Sequence, residues 1–298
     1  MAAGAQDDSI SLNKYIADTG FCSRREADSY IDSGRVTIND RPAVTGNRVG
    51  AGDVVEVDGE SIGKKKATIY IAYNKPPGVT STTDPKDKTN IIDAIGHQQR
   101  IFPIGRLDKD SEGLIFLTND GNIVNKILRA GNEHEKEYVV SVDKPISQEF
   151  VSAMGAGVRI LDTTTKPCKV SQEARNTFRI TLTQGLNRQI RRMCTVLGFE
   201  VTKLRRVRIM NVHLGKLAAG HWRYLTAEET DVLMRMVSGS RGEESTSTRT
   251  KKAPVKARQA KSEAPPAREE PKKRVAAEQK KSKSGSFKEF RKLAKKGR

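Results

Sequence analysis

The sequence predicts an α+β protein: a small α/β module, then a larger body on a mixed, mainly antiparallel sheet. Three observations carry this. The runs "TIYIAYNKP", "GLIFLTND", "KEYVVSVD" and "NTFRITLTQG" are short, alternating or apolar, and bounded by turn residues, as strands are. The runs "DGNIVNKILRAG" and "RQIRRMCTVLG" read as helices, each followed by a glycine stop. Strands outnumber helices without a regular strand–helix–strand rhythm, which argues against a doubly wound parallel sheet.

In chain order, residues 10–60 form the first module. "SLNKYIADTG" places Leu12, Tyr15 and Ile16 at helical spacing, with Gly20 as a stop. "SRREADSYIDSG" follows, with Ser23 as N-cap and Glu26 three positions on, the signature of a capping box; Gly34 ends that helix. "RVTIND", with Val36 and Ile38 on one face, and "DVVEVDG" then read as two short strands. Lys14, Arg24, Arg25 and Arg35 gather near the helix ends. This segment is nevertheless acidic, with 9 Asp and Glu against 6 Lys and Arg, so any attraction for an anion must be local. Arg24 and Arg25 are either ordinary solvated charges or anion contacts. The second reading is favoured because cations are badly placed beside the positive end of a helix dipole.

"GKKKAT" at 63–68 reads as a linker, residues 69–238 as the main body, and 239–298 as a tail. The formal net charge is +18, but from Arg241 to Arg298 there are 20 Lys and Arg against 7 Asp and Glu. That is a local net of +13, leaving +5 for the rest. The tail has almost no apolar residues, so it cannot offset its ordering entropy and is expected to be disordered. It is either a solubilising extension or an electrostatic handle for phosphate. The three cysteines, Cys22, Cys168 and Cys194, are far apart and form no C-x-x-C, so neither a disulfide framework nor a zinc site is indicated. No apolar run approaches membrane-span length and no secretory leader opens the chain. The expectation is a soluble, cytoplasmic protein that meets nucleic acid and not membrane.

The stretch "FPIGRLDKDSEGLIFLTNDG" sets Asp108, Asp110 and Glu112 beside Arg106 and Lys109. Three readings compete. The D-x-D-x-E-G spacing opens like a calcium loop, but that loop needs a bidentate carboxylate at its twelfth position, which here is Asn119. No metal is therefore expected. Lys109, Asp110 and Glu112 suit a solvated turn. Asp108 follows the packed-looking "PIGRL", where a carboxylate needs a partner, and an aspartate held ionised by an arginine is a usable nucleophile.

"GRLDKDSEGLIFLTNDG" resembles the catalytic motif of the RsuA-like pseudouridine synthases. "YNKPPGVTST", "HEKEYVVSVD" and "QGLNRQIRRMC" stand in the order that group shows, and "SRREADSYIDSGRV" resembles the S4 RNA-binding module that precedes its catalytic body. The resemblance implies an enzyme that isomerises a uridine of 23S ribosomal RNA, with a transfer RNA as an open second substrate. It also implies a monomer and no cofactor. It casts Asp108 as the catalytic aspartate, Arg191 as its basic partner, Tyr138 as the ring that stacks on the target base, and Arg106 as the side chain that fills the gap left by the flipped base. Arg188 and Gln189 become RNA contacts, as do Lys14, Arg24, Arg25 and Arg35 of the first module. Lys75 is either a phosphate neighbour or a solvated lysine. Two other readings stay open: an RNA-binding protein without catalysis, and a nucleobase glycosylase.

Overall fold

The computed structural model describes residues 9–63, 67–129, 131 and 133–238. The expected tail at 239–298 and the middle of the linker lie outside the described residues.

The first module packs the helices Leu12–Asp18 and Arg24–Asp32 on an antiparallel four-stranded sheet. Its strands run in the order Arg41–Pro42, Val36–Ile38, Val55–Val57, Glu60–Ile62. Leu12, Ile16, Ala27, Ile31, Val36 and Val55 form its core. The capping box is present: the Glu26 amide donates to Ser23 Oγ at 3.2 Å, and the Ser23 amide donates to Glu26 Oε2 at 2.6 Å. The Ser23 amide, with the Ser23 hydroxyl beside it, holds the Glu26 carboxyl below its ordinary range. Gly20 and Gly34 both sit at positive φ, the left-handed conformation that lets a helix end without a Cβ clash.

The body is a nine-stranded mixed sheet among the described residues. Its main path runs Lys169–Ala174, Thr177–Leu182, Lys136–Val142, Val201–Ile209, Glu112–Thr118, Tyr70–Lys75, Trp222–Tyr224. Every pair along it is antiparallel except one: Val201–Ile209 runs parallel to Glu112–Thr118. The four strands expected from sequence all lie in this sheet. The central strand, "VTKLRRVRI", does not read as one because its apolar residues, Val201, Leu204, Val207 and Ile209, are irregularly spaced. The structure gives the reason: its pairing with Lys136–Val142 shifts register between Glu137 and Tyr138 and again between Ser141 and Val142. Each bulge resets the alternation that a period-two reading relies on.

The expected helices are present as Gly121–Leu128 and Gln189–Val196. The second is followed by Gly198 at φ 79°. The first does not end on a glycine; its C-cap is Arg129 in an extended conformation. Asp120 caps its start, accepting from the Asn122 amide at 3.0 Å. The three cysteines are free, and burial pushes their thiols up, Cys194 to about 12. Among the described residues no helix is long and apolar enough to cross a membrane.

Candidate active site

The single parallel junction builds the site. Lys75 pairs with Gly113, Gly113 with Arg206, and Arg206 with Tyr138, so four residues form one row across four strands. The Asp108 turn leads directly into the strand that holds Gly113. A side chain at Gly113 is impossible without rearrangement. Its φ is 105°, and a Cβ there would lie 2.7 Å from the Arg206 amide nitrogen and closer still to its carbonyl oxygen. The bulge before Tyr138 does the rest. Lys136 faces Ile209, but Tyr138 faces Arg206 instead of Val207, which turns a charged residue toward the space that a regular strand would fill with a valine.

That space is a cleft of about 540 Å³ lined by Asp108, Lys136, Tyr138, Arg188, Arg191 and Arg206, with apolar walls that include Leu182, Leu204 and Ile209. It lies within the range of small-ligand sites and can hold one extruded nucleotide.

Leu107 is buried, as the packed "PIGRL" loop implied, but the Asp108 side chain remains 37% exposed. Its Oδ2 accepts from Arg188 Nη1 at 3.1 Å. The arginine at Asp108 is therefore Arg188, not the expected Arg191. Arg188 is the N-cap of its helix in a left-handed conformation, φ 48° and ψ 35°, so it leaves the helix path and reaches the turn. Arg191, one turn into the helix, is drawn behind the Asp108 turn. It donates to Val201 O at 3.1 Å and Ser111 Oγ at 3.3 Å, and pairs with Asp110 Oδ2 at 3.1 Å. Asp110 and Glu112 are not merely solvated, as expected from sequence. Asp110 joins Arg191 and Arg188, while Glu112 pairs with Lys203 at 3.1 Å. Among the described residues no group of three or more His, Cys, Asp or Glu converges as a metal site would.

Other site residues fall differently. Tyr138 is half-buried on the cleft wall, with the Arg206 guanidinium carbon 6.0 Å from its ring centre. Arg106 is exposed at the cleft, with no ion pair among the described residues. Gln189 is turned inward, contrary to its reading as an RNA contact. It is 4% exposed and its Oε1 accepts from the Leu186 amide at 3.0 Å, closing the loop before the helix. In the first module, Lys14 is tied to Asp18 at 2.7 Å and Arg35 to Asp58 at 2.6 Å, with Arg35 also stacked on Tyr30. Arg24 and Arg25 are exposed and have no ion pair among the described residues, so the free basic edge is narrower than the sequence implied.

Lys75 is neither solvated nor a phosphate neighbour. It is fully buried, and its Nζ donates to Val79 O at 2.8 Å, Pro76 O at 3.0 Å and Lys109 O at 3.4 Å. Burial pushes the amine down to about 8, against the pull of Asp110 and Asp108. It pins the proline loop to the Asp108 turn. Lys75→Met is expected to strand these carbonyls, costing about 2 kcal/mol. It should also slow turnover by loosening the turn. Urea unfolding measures the first effect, and an unchanged midpoint would show that the carbonyls find other donors.

Sequence reading also passed over Lys136 and Arg206. Their signal was weak: basic residues in strands read as solvated faces, and only the bulged register shows that they point inward.

Comparison with known proteins agrees with this architecture. Residues 69–195 match the family model described as RNA pseudouridylate synthase, and residues 11–55 match the S4 domain. The chain is 59% identical over 239 residues to the dual-specificity RNA pseudouridine synthase RluF of Salmonella typhi, covering 80% of this chain and 83% of that one. It is 35% identical over 227 residues to ribosomal large subunit pseudouridine synthase B of Bacillus subtilis, covering 73% and 93%. A crystal structure of a pseudouridylate synthase superposes with a TM-score of 0.57 at 28% identity, covering 76% of this chain and all of that one. The chain belongs to the RNA pseudouridylate synthase family: it is an RNA uridine isomerase with an S4 domain ahead of its catalytic body.

Proposed function

We propose that the chain converts a uridine of 23S ribosomal RNA to pseudouridine, and that a transfer RNA supplies a second substrate. The naming of one relative for the large ribosomal subunit and of another for dual specificity supports this reading. The observation that carries the site assignment is the convergence of Asp108, Arg188 and Tyr138 on one cleft of nucleotide size.

The reaction breaks the bond between N1 and C1′, turns the base, and joins C5 to C1′; the hydrogen lost from C5 is balanced by one gained at N1. No electrons enter or leave, so the isomerisation needs no redox cofactor. Extrusion of the base from its stack brings the sugar to the Asp108 turn. Asp108 acts at the ribose, oriented by Arg188, while Arg191 holds the turn through Ser111 and Asp110 as a positioning residue. Tyr138 stacks on the base, and the unpaired guanidinium of Arg106 fills the vacated position in the RNA. Arg24 and Arg25 supply the grip of residues 10–60, residues 69–238 supply the chemistry, and the basic run 239–298 adds electrostatic affinity. The protein works as a monomer in the cytoplasm.

The test is to incubate pure protein with ribosomal RNA and map pseudouridine by carbodiimide-dependent primer stops. A new stop is expected. Tight binding with no stop would favour a binding-only protein, and release of free uracil a glycosylase. Substituting both Arg24 and Arg25 by Glu is expected to weaken RNA binding roughly 10-fold and to reduce the slope of log K against log salt by about two. The conversion rate at saturating RNA should hardly change. An unchanged salt slope would remove both residues from the RNA interface.

A further inference from the structure

We propose that Arg206 donates a hydrogen bond to the 4-carbonyl oxygen of the extruded uracil and thereby makes the cleft accept uracil and refuse cytosine. This rests on the cleft being the seat of the reaction, as proposed above.

Arg206 is 5% exposed and lies on the cleft wall. Its Nε is committed to Leu114 O at 2.6 Å, which fixes the guanidinium, and its Nη2 is closed off from solvent with no hydrogen-bond partner among the described residues, so the edge that meets the cleft is the remaining Nη1. Among the described residues no carboxylate pairs with it. A buried donor without an acceptor is destabilising, the more so when charged, and such groups are rare in folded proteins. Two backbone devices hold it there, the glycine at 113 and the bulge opposite Tyr138. Lys136 adds to the imbalance. It faces the same cleft, and among the described residues its Nζ donates only to His134 O, at 2.9 Å. Burial, with the Arg206 charge behind it, pushes that amine down to about 8. The cleft floor is thus cationic and short of acceptors.

The substrate supplies them. Asp108, at the ribose, is 37% exposed, whereas Arg206 is deep, so the part of the base farthest from the glycosidic bond reaches the floor. In the pyrimidine ring the atom opposite N1 is C4, which in uracil bears a carbonyl oxygen. Once the base has turned and C5 is bonded to the sugar, the atom opposite the new bond is C2, which also bears a carbonyl oxygen. The same fixed donor therefore meets an acceptor before and after rotation. Cytosine instead presents its 4-amino group, donor against donor, and leaves the guanidinium without an acceptor; sites built around a buried donor reject such analogues strongly.

The experiment uses the full chain and a synthetic stem–loop spanning the mapped uridine. It carries uridine, cytidine, 2-thiouridine or 4-thiouridine at that position, with binding measured on Asp108→Asn. The cytidine and 4-thiouridine RNAs are expected to bind at least ~10-fold more weakly than the uridine RNA, and the 2-thiouridine RNA nearly as well, since sulfur accepts N–H poorly. Adding Arg206→Gln should bring the uridine-to-cytidine ratio close to one. If that chain fails to fold, the thiouridine series decides alone. Equal binding of uridine and 4-thiouridine, or an undiminished ratio in Arg206→Gln, overturns the proposal. Full turnover by Asp108→Asn would instead overturn the site assignment, which separates the two failures.

Discussion

Asp108→Asn is expected to slow single-turnover conversion of the target uridine by at least roughly 10³-fold, while RNA affinity changes by less than about threefold. The amide has almost the shape of the carboxylate and still offers an oxygen to Arg188 Nη1, now 3.1 Å from Oδ2. It carries no charge and cannot act at the sugar. Because Asp108 is 37% exposed, its removal leaves no buried cavity, and stability should hardly move. Retained turnover would take the chemistry away from this residue. Loss of affinity in proportion to rate would show that it binds RNA and does not react with it.

Gly113→Ala is expected to be the most destabilising exchange at the site. The new methyl group would press on the backbone of Arg206, which cannot swing aside as a side-chain tip could. The position also sits at φ 105°, where an L side chain is strained. Together these should cost about 3–5 kcal/mol, read as a lower urea midpoint. Conversion should fall with it, because the parallel pairing of Gly113 with Arg206 is what sets the Asp108 turn beside Tyr138. Gly46→Ala is the control. Its φ is 98°, but a Cβ there would meet nothing within 4 Å, so only the backbone cost of about 1 kcal/mol is expected. Equal losses at the two positions would show that the close approach to Arg206 contributes nothing.

The strands of the sheet were legible wherever alternation was uninterrupted. Val201–Ile209 was hidden because its two register shifts spread its apolar residues to irregular spacing. That strand is the junction of the whole site, so Arg206, a buried residue of the cleft wall, was hidden with it. Asp108 and Tyr138 could be picked out through motif order, Arg188 only as an RNA contact, and all three line one cleft. Their pairing could not, because the left-handed turn at Arg188 that carries its guanidinium to Asp108 is a backbone property. Gln189 and Lys75 fail for a common reason. A polar side chain that satisfies buried loop groups looks the same in sequence as one that faces solvent, and only its hydrogen bonds distinguish them. In the first module the ion pairs Lys14–Asp18 and Arg35–Asp58 were available to a charge count, but the second joins residues far apart in the chain.

Two carboxylates stand within reach of Arg188, Asp108 at 3.1 Å and Asp110 at 3.5 Å. A paired single-turnover assay on Asp108→Asn and Asp110→Asn, with the modified nucleotide mapped in the same RNA, decides which one reacts. The prediction is near-complete loss of conversion for the first and a reduction of no more than about tenfold for the second, whose carboxylate only steadies the turn through Arg191. Conversion that survives in Asp108→Asn but vanishes in Asp110→Asn would contradict the assignment of the reacting group.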